Sequence, residues 1–349
     1  MPSTSQLTFT RFLAAVVIVV FHFGTGIFPF NHSLVAPLFT NVGISFFFVL
    51  SGFVMVIAYT KLGQPIVYKQ YWFNRLARIY PTYLFALLGS CWVLSYCHIP
   101  FKMSALGLNL ALLQSWIPPN ALTINRAGWT LSVEAFFYLS FPFINNYCLL
   151  RFSFKQVAIA VGAFWLFCQC FFVYLQLLPQ WPFGMQTYRH DWLHYFPPMH
   201  FNQFLVGNLF GLVYLQRHAQ WVRKLDAWLL AIIVCMTVVL ELAIPMVNYH
   251  NGFMAPLFGV FILLMSLNTG FITELCNKPW AIYLGEISFA MYILQIPLHY
   301  AWYKLTKPLY YQNASLFFAS YITALLLLSV VTFHGIEKPM RSFLKRHLG

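Results

Sequence analysis

Apolar runs recur along this chain, most of them long enough to cross a lipid bilayer, at 10–27, 36–60, 79–98, 104–117, 130–150, 156–177, 201–216, 226–247, 253–272, 281–301 and 315–334. In hydrocarbon every backbone N–H and C=O must find a partner inside the protein, and an α-helix satisfies its own. About 20 apolar residues reach across the bilayer core. The sequence therefore predicts an all-α, polytopic transmembrane helix bundle. The charge content agrees: only 8% of residues are charged, against about a quarter in a soluble domain.

The basic residues set the orientation. The run at 104–117 is short and ends in Pro118-Pro119, so it reads as a re-entrant or interfacial piece. Without it there are about ten spans, with both termini cytoplasmic. The inner segments then hold Arg11; Lys61, Lys69, Arg75 and Arg78; Arg151 and Lys155; Arg217, Arg223 and Lys224; Lys278; and Lys338, Arg341, Lys345 and Arg346. That leaves Lys102, Arg126, Arg189, Lys304 and Lys307 outside. Were 104–117 to cross, everything after it would invert and the basic C-terminus would face out, against the positive-inside rule. The same placement argues against nucleic acid as the partner for the net charge of +13, because the charge sits in short loops. No linker or repeat divides residues 1–349, which read as a single integral-membrane domain. The first run follows Arg11 as in a signal peptide, but no cleavage pattern follows it, so it reads as an uncleaved span. The seven cysteines show no paired CxxC spacing and indicate neither disulfides nor zinc.

Polar residues inside such runs are expensive and point to function. Arg11 and His22 bracket RFLAAVVIVVFH (11–22). Eleven steps of a helix return them to within about 20° of one face, about 16 Å apart along the axis. Among the seven carboxylates, Glu134 stands out in GWTLSVEAFFYLSFP (128–142), about four residues into its span from the outer side. Counted this way, Glu134 and His22 share a depth, and a His–Glu pair suits general-base chemistry. A structural pair locking two helices fits the same placement. On the inner side, YWFNRLARIYPTY (71–83) sets Arg75 and Arg78 three apart, either as a phosphate clamp or as an ordinary positive-inside anchor. With Arg11 at the same level, a ligand with a phosphorylated head and a thin arm would hold its head inside and send its tip towards His22. Acyl-coenzyme A has that shape.

Arg11-x10-His22, SFFFVLSGF (45–53), RLARIYP (75–81), WTLSVEAFFY (129–138), LGEISFAMYILQIP (284–297) and HGIEKPMR (334–341) together resemble the membrane-bound acyltransferase-3 family, which includes O-acetyltransferases of cell-surface polysaccharides. The resemblance implies an enzyme that moves an acetyl group from cytoplasmic acetyl-CoA to a hydroxyl of an extracytoplasmic or lipid-linked glycan, in a bacterial inner membrane. It makes Arg11 and His22 the essential first-helix pair. It assigns Arg75, Arg78 and Tyr80 to the donor side and Glu134, close to Trp129, to the active centre. Similar proteins often carry histidine where this chain has Gln295. The chain resembles the stand-alone form of the family, without an added esterase-like domain.

His22 is expected to act either as a general base or as a nucleophile passing through an acyl-imidazole, supported by Glu134. The outer loop QWPFGMQTYRHDWLHYFPPMH (180–200) offers Arg189, Trp192 and His194, with Trp129, to a sugar acceptor, although aromatic residues also gather at membrane interfaces. His190, Asp191 and His194 lack a third well-spaced ligand, so no metal is expected. Ser51 has no G-x-S-x-G elbow, and Ser51-Gly52 reads as a close helix contact. The rival class is a multi-span transporter or flippase using His22 and Glu134 as a proton relay.

Overall fold

The computed structural model describes residues 4–32, 42–60, 63–178, 187–242, 244 and 247–347. Trp181 and the start of the run at 36–60 lie outside them. The first half comprises α1 (Gln6–Phe23), α2 (Gly43–Tyr59), α3 (Tyr68–Tyr96), α4 (Met103–Leu110), α5 (Trp129–Ile144), α6 (Phe154–Leu177) and α7 (Tyr188–Tyr195). There follow α8 (Phe201–Trp221), α9 (Asp226–Glu241), α10 (Ala255–Leu267), α11 (Phe271–Cys276) and α12 (Pro279–Leu305). The chain ends in α13 (Lys307–Gln312), α14 (Ala314–Thr332) and α15 (Lys338–His347). Among the described residues there is no β-strand, only an isolated bridge between Arg223 and Asn268.

The protein is a multi-pass membrane protein. Five helices are both long and apolar enough to cross a bilayer: α1, α3, α6, α12, and α14 continued through α15 to Leu344. Helices α2 and α10 are apolar but shorter. Large apolar side chains such as Trp92, Phe167, Trp228 and Val331 stand exposed on the outer surfaces of their helices, as a lipid-facing wall requires. The segment at 104–117 folds into the eight-residue α4 and a short 3₁₀ turn, Gln114–Trp116. At 1.5 Å per residue α4 reaches only about 12 Å, well short of a crossing.

Three helix contacts position the interior. Helices α1 and α12 run parallel: Gly285 lies against the Thr8 backbone at one end, and Phe23 stacks on His299, ring centroids 3.9 Å apart, at the other. Helix α14 packs antiparallel on α12, with Tyr283 bonded to His334 and Trp302 to Ser320. Helices α2 and α8 approach so closely that a β-carbon on Gly52 would overlap the Phe204 carbonyl oxygen, and one on Gly207 that of Val49. Small residues permit this contact; of the expected pair Ser51-Gly52 it is Gly52 that makes it, while Ser51 lines a cavity.

Two prolines turn freed carbonyls into tertiary ties. Proline donates no N–H to the carbonyl four residues back. Pro297 thereby frees the Ile293 carbonyl of α12, which accepts the Asn125 side-chain amide at 2.9 Å. Pro142 frees the Tyr138 carbonyl of α5, which accepts Trp72 Nε1–H at 3.1 Å. The first tie anchors the turn before α5 to α12, and the second fixes α5 against α3.

Candidate functional site

The chemistry-bearing residues separate into two places. The first is a cavity of about 310 Å³, at the small end of the range typical of ligand pockets. Helical spacing builds each wall. Thr8 and Arg11 come from α1, Arg78 and Ile79 from α3, and Thr130, Glu134 and Tyr138 from α5. Gly285, Glu286, Phe289 and Tyr292 come from α12, at the three- and four-residue steps of one helix face. The last wall follows the π-helical turn Phe333–Glu337, which joins α14 to α15 so that Phe333, Glu337 and Arg341 all look inward. Such π-turns are frequent at functional sites. Exposure rises from buried Thr130 and Tyr292, through half-buried Arg11, Arg78, Glu134 and Glu337, to exposed Glu286 and Arg341, which form the mouth.

The cavity brings three guanidinium groups (Arg11, Arg78, Arg341) together with three carboxylates (Glu134, Glu286, Glu337). Among the described residues none of these arginines comes within 4.0 Å of a carboxylate oxygen. Glu134 instead accepts a 2.9 Å hydrogen bond from the Tyr138 hydroxyl one turn away, and Glu337 Oε2 is buried without a hydrogen-bond partner. Guanidinium groups not closed into contact ion pairs keep donors for an anionic guest, and a fork of this kind matches phosphate oxygens.

The second place is the far end of α1. His22 is exposed there, and its Nδ1–H donates to Gln295 Oε1 at 3.0 Å. The Gln295 amide nitrogen donates to the Tyr292 carbonyl at 2.9 Å, which fixes the amide so that its oxygen faces the ring. With the proton on Nδ1, the neutral imidazole carries its lone pair on Nε2.

The expected His22–Glu134 pair is not formed. Glu134 shares its cavity with Arg11, eleven residues and about 16 Å along α1 from His22. The reason is the depth at which α5 begins. Its first residue Trp129 and the turn before it, with Asn125, Ala127 and Gly128, are already buried against α12, so Glu134 lies deeper than its distance from the apolar boundary suggests. Gln295 holds the imidazole in its place.

Other expected site residues divide similarly. Arg11 and Arg78 line the cavity, but Arg75 does not. A three-residue step turns Arg75 aside by about 60°; it donates to the Tyr59 hydroxyl at 2.9 Å and lies over the Tyr59 and Tyr71 rings. Tyr80 also stays off the cavity wall and donates to the Leu110 carbonyl at 3.0 Å. Trp129 is buried among aromatic rings, with His200 and His250 at 5.2 and 5.3 Å. Trp192 stacks on Phe196, and Arg189 is exposed on α7. His194 Nδ1–H donates to the His190 carbonyl at 2.9 Å. Burial, reinforced by His190, lowers the His194 pKa to about 4, and burial lowers that of His200 to about 3. His250 is held well below the ordinary imidazole range by burial and then by His200 and His194. These histidines, with Trp129, form a neutral clasp over the start of α5, and none of them lines the cavity. Glu337 and Arg341 were legible as members of HGIEKPMR but not as cavity residues, because the π-turn that points them inward leaves no periodic signal.

Comparison with known proteins decides the class of this chain. The sequence profile of a family described as "Acyltransferase domain" matches residues 5–334. The chain belongs to the acyltransferase-3 family. It is similar to acyltransferase MdmB of Streptomyces mycarofaciens, 30% identical over 149 residues, which cover 39% of this chain and 38% of that protein. It is also similar to ORF330 of Acidianus two-tailed virus, which carries the name of an acetyltransferase, 24% identical over 258 residues covering 72% of this chain and 71% of that one. The match thus spans under half the length of the first relative. No solved structure matches. An acyltransferase domain over residues 5–334 favours an acyltransferase over the transporter reading.

Proposed function

We propose that this acyltransferase moves an acetyl group from acetyl-CoA, entering from the cytoplasm, to a hydroxyl of an extracytoplasmic or lipid-linked glycan, in a single membrane domain of ten spans with both termini inside. The observation that carries the reading is the course of one stripe. A mouth bearing Glu286 and Arg341 leads past Arg11, Arg78 and Glu134 to Tyr292, and Gln295, one turn further along α12, holds His22.

Phosphates of the donor would rest on Arg11, Arg78 and Arg341, and the thin pantetheine arm would point along the stripe. His22 Nε2 takes the proton of the acceptor hydroxyl as its oxygen attacks the thioester carbonyl. The new C–O bond forms, the C–S bond breaks, and the imidazolium returns its proton to the departing sulfur. Gln295 keeps Nδ1 protonated throughout, so Nε2 remains the working atom. In this scheme Glu134 belongs to donor binding, where its charge offsets that of Arg11 and Arg78 and keeps the cavity from over-attracting anions. On the proposed topology α7 and His194 face outside, near the acceptor's approach.

The test is purified protein in lipid nanodiscs with labelled acetyl-CoA and extracted envelope glycan. Acceptor-dependent transfer of label is expected, and His22→Ala should abolish it while leaving donor binding and melting temperature unchanged. Near-normal transfer by His22→Ala would overturn the assignment of that residue. Absence of any acceptor-dependent transfer by the wild type would overturn the donor and acceptor assignments together.

A further inference from the structure

The donor cavity and His22 lie along shared helix faces but do not meet. On α12 the cavity-lining positions end at Tyr292, and the next residue on that face is Gln295, buried against His22. On α1 the cavity ends at Arg11, and buried Ala15, Ile18 and Val19 fill the stripe before His22. A thioester bound at the arginines therefore has its route to His22 closed.

Between α5 and α12 the closure is a pair of hydroxyls. Tyr292 Oη and Thr130 Oγ1 lie 3.0 Å apart, both lining the inner end of the cavity. Thr130 Oγ1–H donates to the Ala127 carbonyl at 3.0 Å, and the Tyr292 hydroxyl reaches the same carbonyl at 3.3 Å. Ala127 sits in the turn that Asn125 ties to the Ile293 carbonyl. The frame is thus fixed at both helices, while the bar across it consists of neutral hydroxyl bonds that a swing of one tyrosine side chain breaks.

We propose that Tyr292 and Thr130 form a gate between the donor cavity and the His22 side, holding the thioester away from the His22 base, and from any water or hydroxyl that base could activate, until the acceptor is in place. The proposal rests on the reading that a thioester donor occupies the cavity. With the gate open and no acceptor present, water takes the acceptor's part: its oxygen bonds to the acyl carbon, the C–S bond breaks, the sulfur takes up the proton, and free acid and thiol result. A closed gate suppresses this leak.

The experiment measures thiol release from acetyl-CoA without acceptor, beside acceptor-dependent transfer and donor affinity, in nanodisc-embedded protein. Tyr292→Phe and Thr130→Val each delete one hydroxyl and should raise the acceptor-independent release about tenfold, the scale of one lost neutral hydrogen bond. The double variant should leak less than the product of the two single effects, because the singles share the Tyr292–Thr130 bond and differ only in the bond each hydroxyl makes to the Ala127 carbonyl. Leak rates are compared at saturating acetyl-CoA, so that a change in donor affinity does not enter, and Thr130→Ser, which keeps the hydroxyl, should leak like wild type. Loss of packing alone would lower the melting temperature without raising the leak. Wild-type transfer combined with an unchanged leak in Thr130→Val and Tyr292→Phe overturns the gate and leaves the proposed function standing. If Tyr292→Phe does not fold, the comparison of Thr130→Val with Thr130→Ser decides. Failure of the wild type to bind or consume acetyl-CoA overturns the proposed function and the gate with it.

Discussion

His22 Nδ1 and Gln295 Oε1 lie 3.0 Å apart, and the Gln295 amide is itself anchored to the Tyr292 carbonyl. A neutral amide orients the imidazole without offering it a counter-charge, which separates tautomer control from charge stabilisation. Gln295→Leu should therefore lower kcat by about 10–100-fold, a fraction of the effect of a general base, with little change in the KM for acetyl-CoA. Gln295→Glu would place a carboxylate against the ring, stabilise the imidazolium, and move the acid limb of the pH–rate profile to higher pH. Steady-state kinetics from pH 5 to 9 would check both, and an unchanged profile in Gln295→Glu would show that this contact does not govern the reaction.

Arg75 and Arg78 differ in what they touch despite their three-residue spacing. Arg78 lines the cavity with Arg11, whereas Arg75 is engaged by Tyr59 and the Tyr71 ring. Arg78→Gln or Arg11→Gln should raise the donor dissociation constant by about 10–100-fold, the scale of one charge-assisted bond. Arg75→Gln should leave the constant within a fewfold and lower the melting temperature instead. Titration of acetyl-CoA into each variant separates the cases, and equal losses in Arg75→Gln and Arg78→Gln would contradict the geometry.

Much of this arrangement was legible before any coordinates. The 3.6-residue period put Arg11 and His22 on one face, and the structure places both on the α1 face packed along α12. The short run before Pro118 was separable from the long runs by length alone and forms α4. Depth was not legible in the same way. Hydropathy marks where apolar residues begin, and α5 begins inside the protein, so Glu134 joined the arginines rather than His22. The partners of Gln295, Tyr292 and Thr130 depend on how α12 meets α1 and α5. That meeting is fixed by a proline-freed carbonyl and a glycine contact, neither of which has a periodic signature.

The contact of α2 with α8 gives a stability prediction. Gly52 and Gly207 each face backbone of the other helix with no room for a side chain. Gly207→Val should force the helices apart and destabilise the protein by about 1–3 kcal/mol or more, as overpacking does. A glycine facing open space, Gly162 on α6, is the control: Gly162→Ala should be neutral or mildly stabilising. Thermal unfolding in detergent would compare them, and a Gly207→Val protein melting with the wild type would refute the contact.

The outer histidine clasp ties stability to pH in a definite direction. His200 and His250 are buried and half-buried His194 packs on His250, with Asp191 engaged by His190 at 3.1 Å and the Tyr195 ring alongside. In the folded protein His194 titrates near pH 4 and His200 near pH 3, while in the unfolded chain each takes up its proton near pH 6.5. Between these limits the unfolded chain binds protons that the clasp refuses, so stability falls as the pH drops below about 6.5 and is flat above about 7.5. Each refused proton steepens the loss by about 1.4 kcal/mol per pH unit. Melting temperatures in detergent at pH 8, 7, 6 and 5 should therefore hold and then decline. His194→Gln removes one of the refused protons while keeping a polar side chain, and the decline between pH 6 and 5 should become shallower by that amount. A decline of the same slope in His194→Gln would mean that His194 does not titrate within the clasp as its burial requires.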